Sequence, residues 1–292
     1  MDAVKTTFDM GGFQVDRVGF GAMQFPGPGV MGPPQDKDAA LALLRRVLEL
    51  GINHIDTAQF YGPKVSNELI REALAPYPSD LVIVSKTGAT RSADGAWVPQ
   101  QRPEELIADT KANVETLGLD RLPVMNLRYM PPEETGAADV VPFDEQLDAM
   151  RRLVDDGVIT RFGVSTVDAA RAAQAIDAGA VCVQNAYNLL ARHDEPVLEL
   201  CRERGVAYVP YFPLGSAFGA TPRVDADPRV IAVAERNGIT PAQVGLAWLL
   251  QHSENILLIP GTSSVQHLEE NTAVRDITLS QDDVDELESP AR

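Results

Sequence analysis

Eight short apolar runs, at 18–20, 52–55, 81–85, 124–127, 160–164, 181–184, 206–210 and 256–259, alternate with stretches of helical periodicity along nearly the whole chain. The intervening segments, such as "DAALALLRRVLELG", "PEELIADTKANVETLG" and "PFDEQLDAMRRLVDDG", place apolar residues on one helical stripe. Several close on a glycine (Gly51, Gly118, Gly157, Gly179, Gly205), the residue that most easily takes the left-handed stop before a following strand. Eight strands, each followed by a helix, predict a single (β/α)8 barrel domain over residues 1–292. Phe8 and Phe13 flank Gly11 and Gly12 and predict a short β-hairpin ahead of the barrel. An open doubly wound sheet is the competing architecture, but no GxGxxG follows the first strand to open a helix, and no linker-like stretch divides the chain.

The net charge of −17 argues against nucleic acid and anionic membranes as partners, since both require a positive footprint. No apolar run approaches the roughly 18 residues of a membrane span, and "MDAVKTTFDMGG" lacks a charged-then-apolar leader, so a cytoplasmic protein is expected. The two cysteines, Cys182 and Cys201, have no metal spacing and no disulfide framework, and Cys182 in "AVCVQN" reads as a core residue. No metal is implied. Lysine is scarce, five against twenty arginines, and only Lys86 ends an apolar strand.

Barrel active sites gather at the carboxyl ends of the strands. The residues there are Gly21, Asp56, Lys86, Arg128, Ser165, Gln184 with Asn185, and Tyr211 with Phe212. An acid, a lysine and an arginine beside the loop tyrosine Tyr61 form a chemically pointed set. Asp56 and Lys86, at the ends of adjacent strands, can form a partly buried ion pair, and Tyr61 can reach back to Lys86. A cation in reach lowers a phenol's pKa, so Tyr61 is expected to be acidified by Lys86 and to protonate a carbonyl oxygen as hydride arrives at carbon. Read as structure alone, the same residues are an ion pair with a rim tyrosine.

The ordered segments "GINHIDTAQFYG…NELIREAL", "VIVSKTG", "GVSTV", "VQNAYNLL", "PYFPLG" and "IPGTSSVQHLEEN" resemble the successive motifs of the aldo-keto reductases, (β/α)8 enzymes that transfer hydride between NAD(P)H and a carbonyl or alcohol. The resemblance covers nearly the whole chain. It implies that Asp56, Tyr61 and Lys86 are three members of the catalytic tetrad, with Tyr61 the proton donor. The fourth is usually a histidine in a pattern like "DLYLLHWP"; here "RLPVMNLRYMPP" puts Arg128 in that place. Arginine stays charged and only donates, so it can orient an oxygen but cannot relay a proton. The "NLR" segment, "GPGVMGPP" and "NHIDTAQFYGP" together resemble the bacterial branch of pyridoxal reductases, which points to pyridoxal as substrate.

The same resemblance implies that Ser165, Thr166, Gln184 and the neighbouring Asn185 hold the nicotinamide carboxamide, and that Tyr211 stacks on its ring. Gly21, Ala22 and Met23 after the first strand, and Phe212, Pro213, Leu214 and Gly215, are assigned to the cofactor in the same way. Gly261, Thr262 and Ser263 would grip a phosphate at a helix N-terminus, with His267, Glu270 and Asn271 at the adenosine end. NADPH is the expected cofactor, although no lysine or arginine stands in this segment to meet a 2′-phosphate, so NADH remains open. Substrate contacts are expected from the loop 28–33, Phe60, Trp97, Tyr129 and Phe218. Only twenty-one residues follow Asn271, too few for a long C-terminal lid. Two alternatives compete with the reductase: a non-catalytic, cofactor-sensing partner subunit of the same fold, and a Schiff-base aldolase using Lys86. The oligomeric state is left open, with a monomer compatible.

Overall fold

A computed structural model describes residues 5–131, 141–215 and 222–289. Seven strands form one parallel sheet in the order in which they occur in the chain: β3 (Phe20–Gly21), β4 (His54–Asp56), β5 (Val82–Thr87), β8 (Leu122–Arg128), β9 (Ile159–Ser165), β10 (Cys182–Gln184) and β11 (Ala207–Tyr208). The eighth apolar run closes the cylinder through single bridges, Tyr208 to Ile256 on one side and Val18 to Leu258 on the other. Its backbone bonds are short on both sides, with Leu257 N donating to Tyr208 O at 2.9 Å and Leu258 N to Arg17 O at 2.7 Å. The expected (β/α)8 architecture is thus present, its last staves shorter than the apolar runs that announced them.

The hairpin β1 (Thr7–Met10) and β2 (Phe13–Asp16) lies against one end of the barrel. Met10 and Val15 are fully buried there against Val82, Val84, Val124, Ala207 and Leu257, which face the barrel interior. Opposite faces of the same strands, with Ile55, Ile83, Met125 and Leu127, pack outward onto the helices. The five predicted glycine stops all take positive φ, from 64° at Gly205 to 106° at Gly179. A second hairpin, β6 (Ala89–Arg91) and β7 (Trp97–Pro99), projects beyond the end of β5 and was not anticipated. Its turn is "SADG", with Gly95 at φ 84°.

Arg17 holds the closure. Its guanidinium is 2% exposed and donates to four carbonyls: Ile256 (3.0 Å), Lys5 (3.1 Å), Leu250 (2.9 Å) and Ser253 (2.6 Å). Burial lowers its pKa to about 10, so it remains charged at neutral pH. Replacing Arg17 with alanine strands these carbonyls in the interior, where one unmet polar group costs about 1–3 kcal/mol. The expected loss is at least about 3 kcal/mol in a denaturant unfolding experiment. An unchanged midpoint would show that the closure stands without it.

Candidate active site

The carboxyl ends of β4, β5 and β10 converge on one carboxylate. Asp56 Oδ1 accepts from Lys86 Nζ at 2.5 Å, and Asp56 Oδ2 accepts from Gln184 Nε2 at 2.9 Å. Lys86 also donates to Thr57 O at 3.0 Å. Asp56 and Lys86 are each only 3% exposed, so neither charge could be kept without the other. Burial by itself would lower the Lys86 pKa, but Asp56 and the neighbouring Tyr61 outweigh it and the net shift is upward. A firmly protonated lysine is a poor imine-forming nucleophile, which argues against the aldolase alternative. His54, two residues before Asp56, is pushed down to about 4 by burial and stays neutral.

The Lys86 ammonium lies 5.0 Å from the centroid of the Tyr61 ring. Its charge favours the phenolate, yet burial is the larger influence and the Tyr61 pKa is raised, not lowered. The acidified tyrosine expected from the sequence is therefore corrected. The sequence names the cation; it does not show how deeply the Tyr61 ring is buried.

The loop carrying Tyr61 is fixed by a buried amide network. Thr57 Oγ1 donates to Asn67 Oδ1 (2.8 Å), and Asn67 Nδ2 donates to Gln59 Oε1 (2.8 Å) and Asn113 Oδ1 (3.1 Å). Ser85 Oγ, one residue before Lys86, donates to the same Asn113 oxygen at 2.5 Å. Asn67 and Asn113 lie on the helices Val65–Leu74 and Pro103–Leu117. Both were passed over in the sequence, where polar residues inside amphipathic helices read as a solvated face.

Asp56, Tyr61 and Lys86 open into a cavity of about 850 Å³. Phe60, Trp97 and Arg128 line it at the same end, and Thr166, Gln184 and Tyr211 continue the wall. Beyond them it runs past Gly21, Met23 and the 212–215 segment to Gly261 and Asn271. Two wall residues other than glycine take left-handed backbone, Thr166 (φ 63°) and Phe212 (φ 58°), a conformation that costs energy and concentrates at functional sites. Gln24, His193, Arg223, Asp225, Ile259 and Pro260 also line the cavity and were not singled out beforehand. Most lie on loops, where no periodicity marks them.

Several expected residues stand off the cavity wall. Ala22 is fully buried, and its carbonyl accepts from Ser66 Oγ at 2.9 Å. Ser165 is buried behind Thr166, with 3.4 Å between the hydroxyl oxygens. Asn185 is consumed by structure, donating to Val167 O (2.7 Å) and Asp194 (2.8 Å) and accepting from Val167 N (3.1 Å). Thr262 Oγ1 accepts from Ser264 N at 3.0 Å, at the entrance to the helix Val265–Thr272. Ser263 and His267 are exposed and Glu270 is half-buried, all outside the cavity wall. Tyr129 is corrected as a substrate contact: it is buried with its ring edge-on to Phe143 at 5.4 Å. Successive strand residues face opposite ways, so if Arg128 faces the mouth, Tyr129 faces the helices. The loop 28–33 is not in the wall either, but Gly29 O accepts from Arg91 Nη2 at 2.6 Å and so braces the hairpin that carries Trp97. Phe218 lies outside the described residues.

The family model of the aldo/keto reductase family matches residues 17–291. The chain belongs to the aldo/keto reductase family. It is similar to pyridoxine 4-dehydrogenase of Escherichia coli (strain K12), with 46% identity over 289 residues and 99% of each chain covered. An uncharacterised oxidoreductase of Schizosaccharomyces pombe is 38% identical over 278 residues, covering 94% of this chain and 87% of its own. Among solved structures, an aldo/keto reductase from Klebsiella pneumoniae, determined in complex with NADP and acetate, superposes with a TM-score of 0.80 at 26% identity. That match covers 99% of this chain and 98% of the other.

A raised pKa keeps the Tyr61 phenol protonated at neutral pH, so that, if it is the proton donor, it would enter a reduction protonated. With Tyr61 as the donor, the active form is expected at low pH and lost only as pH rises through a pKa above the ordinary 10.0. Carbonyl reduction should stay level from neutrality to about 10 as far as Tyr61 is concerned, whereas an acidified phenol would lose activity between about 7 and 9. Tyr61→Phe keeps the ring and removes the proton; turnover should fall by about 10²–10⁴-fold with cofactor affinity little changed. Activity within a few-fold of wild type would place the proton donor elsewhere.

Proposed function

We propose that this reductase uses NADPH to reduce the aldehyde of pyridoxal to the alcohol of pyridoxine. What carries the reading is a protonated, buried phenol beside an ion-paired lysine, opening on an aromatic-walled cavity. The cavity's residues fit a dinucleotide: an aromatic ring (Tyr211), an amide (Gln184) and a hydroxyl (Thr166) at the reacting end, with Gly261 and Asn271 at the far end. When bound, the nicotinamide supplies the hydride that the carbonyl carbon receives. Tyr211 would carry the ring on its face, and Gln184, oriented by Asp56, would meet the carboxamide.

The chain's own residues manage the oxygen. Tyr61 donates its proton there as negative charge develops, while the Lys86 ammonium stabilises the phenolate left behind. Asp56 keeps Lys86 charged and in place. Arg128, on the same cavity wall, would donate a hydrogen bond toward that oxygen. Phe60 and Trp97, edge to face at 5.1 Å, would flank a flat aromatic substrate. Pyridoxal suits such a site, and the Escherichia coli relative bears the name of a dehydrogenase acting on the corresponding alcohol.

A panel of aldehydes including pyridoxal, assayed with NADPH and NADH in parallel, tests both halves. Pyridoxal should have the highest kcat/KM of the panel, with NADPH preferred. A better simple aliphatic aldehyde would overturn the substrate, and preference for NADH would overturn only the cofactor assignment.

A further inference from the structure

Arg128 lines the cavity with one edge of its guanidinium lacking a hydrogen-bond partner among the described residues. Its Nη1 donates to Thr166 Oγ1 at 3.1 Å, and Nε is buried without a partner. Nη2 has no partner among the described residues either. The Nε–H and Nη2–H bonds point the same way along one side of the guanidinium plane, making a two-pronged donor. Elsewhere in this protein that side is given to a carboxylate: Arg229 uses it on Asp227 (3.0 and 2.8 Å) and Arg223 on Asp225 (3.0 and 2.5 Å). Arg46, Arg202 and Arg236 do the same with Glu269, Glu199 and Asp283.

Charge in the cavity points the same way. Asp56 is taken by Lys86, and Asp225 by Arg223. Arg128 lines the reacting end with no carboxylate partner among the described residues. Its guanidinium carbon is 5.8 Å from the centroid of Trp97, and Arg91 covers that ring at 4.1 Å. The reacting end is therefore cationic on a protein whose net charge is −17. One oxygen can bridge both prongs, as Glu269 Oε1 does on Arg46 and Asp283 Oδ1 on Arg236, but the surplus charge calls for an anion, and two adjacent oxygens give each prong its own acceptor, as Asp227 does on Arg229.

We infer that Arg128 selects aromatic aldehydes bearing an ionised hydroxyl ortho to the carbonyl, by binding both oxygens along its Nε–Nη2 side. The inference rests on the aldehyde-reductase reading above. In such an oxyanion the two oxygens repel each other with no proton between them, and a planar cation with parallel donors relieves that repulsion. A 3-hydroxypyridine-4-carbaldehyde meets the requirement at neutral pH, because the ring nitrogen acidifies the hydroxyl. The ortho oxygen then fixes the ring in the plane of the fork, and the carbonyl oxygen is presented to Tyr61 in one orientation. A histidine at this position has no second parallel donor, so its replacement by arginine acquires a reason in specificity.

The test compares 3-hydroxypyridine-4-carbaldehyde with pyridine-4-carbaldehyde, which lacks the hydroxyl, on wild type and on Arg128→Lys. Lysine keeps the charge and loses the fork. The ratio of kcat/KM for the two aldehydes removes general damage, and comparing that ratio between the two proteins removes the aldehydes' intrinsic reactivities. The ratio should fall at least about tenfold in Arg128→Lys, since a charge-assisted bidentate contact is worth at least that much. Calorimetric binding of the same two aldehydes with NADP⁺ present reads the fork without turnover and should show a matching loss. If neither aldehyde is reduced but the hydroxylated one binds at least tenfold more tightly to wild type alone, the reductase reading falls and the fork stands. An unchanged ratio in turnover and in binding overturns the fork while leaving the reductase intact.

Discussion

Two opposite charges sealed at the mouth of the barrel set the terms for everything around them. Asp56 and Lys86 sit 2.5 Å apart at 3% exposure each. Taking both from water costs several kcal/mol per ion, returned only when the contact is close and the remaining donors and acceptors are met. Here they are met by Gln184 on one carboxylate oxygen and Thr57 O on the ammonium. The pair therefore ties three strand ends to one point, and Gln184, from across the barrel, is oriented by the same carboxylate that holds the lysine.

Tyr61 depends on that frame in two opposed ways. The ammonium favours its phenolate, while the burial that keeps the ion pair dry favours the phenol, and burial prevails. As the proposed acid, Tyr61 would begin protonated and gain a stabilised conjugate base only as the carbonyl is reduced. The amide network through Asn67 and Asn113 serves this balance, because a phenol that swung outward would lose both the lysine and the dry surroundings. Arg128 lines the same cavity and presents donors to it.

The parts of the site written in the sequence are those that obey a period. Asp56 and Lys86 end apolar runs, so the barrel pattern alone brings them to one rim, and the ordered motifs add Tyr61, Gln184 and Tyr211. What period cannot carry was lost. Tyr129 sits next to Arg128, and only strand alternation sends one to the mouth and the other to the helices. Asn185 follows Gln184 but is spent on Val167 and Asp194, a use that depends on a loop partner nine residues away. The hairpin bearing Trp97 continues from β5 after one glycine, where a helix was the expected next element. The direction of the Tyr61 shift needed a degree of burial that no residue pattern supplies.

The Asp56–Lys86 pair and Tyr61 are tested together by asking whether the pair makes Tyr61 an effective acid. Lys86→Met alone would leave Asp56 buried without its partner, so the decisive protein is the double variant Asp56→Asn with Lys86→Met, which removes both groups of the pair together. Its single-turnover rate of aldehyde reduction with bound NADPH should fall by at least about 10²-fold, the lower range for loss of acid–base assistance. NADPH binding, followed by fluorescence titration, should hold within a few-fold, and the circular dichroism spectrum should match wild type. A folded, cofactor-binding double variant that reduces aldehyde at the wild-type rate would show that Tyr61 does not need the ion pair to act as an acid.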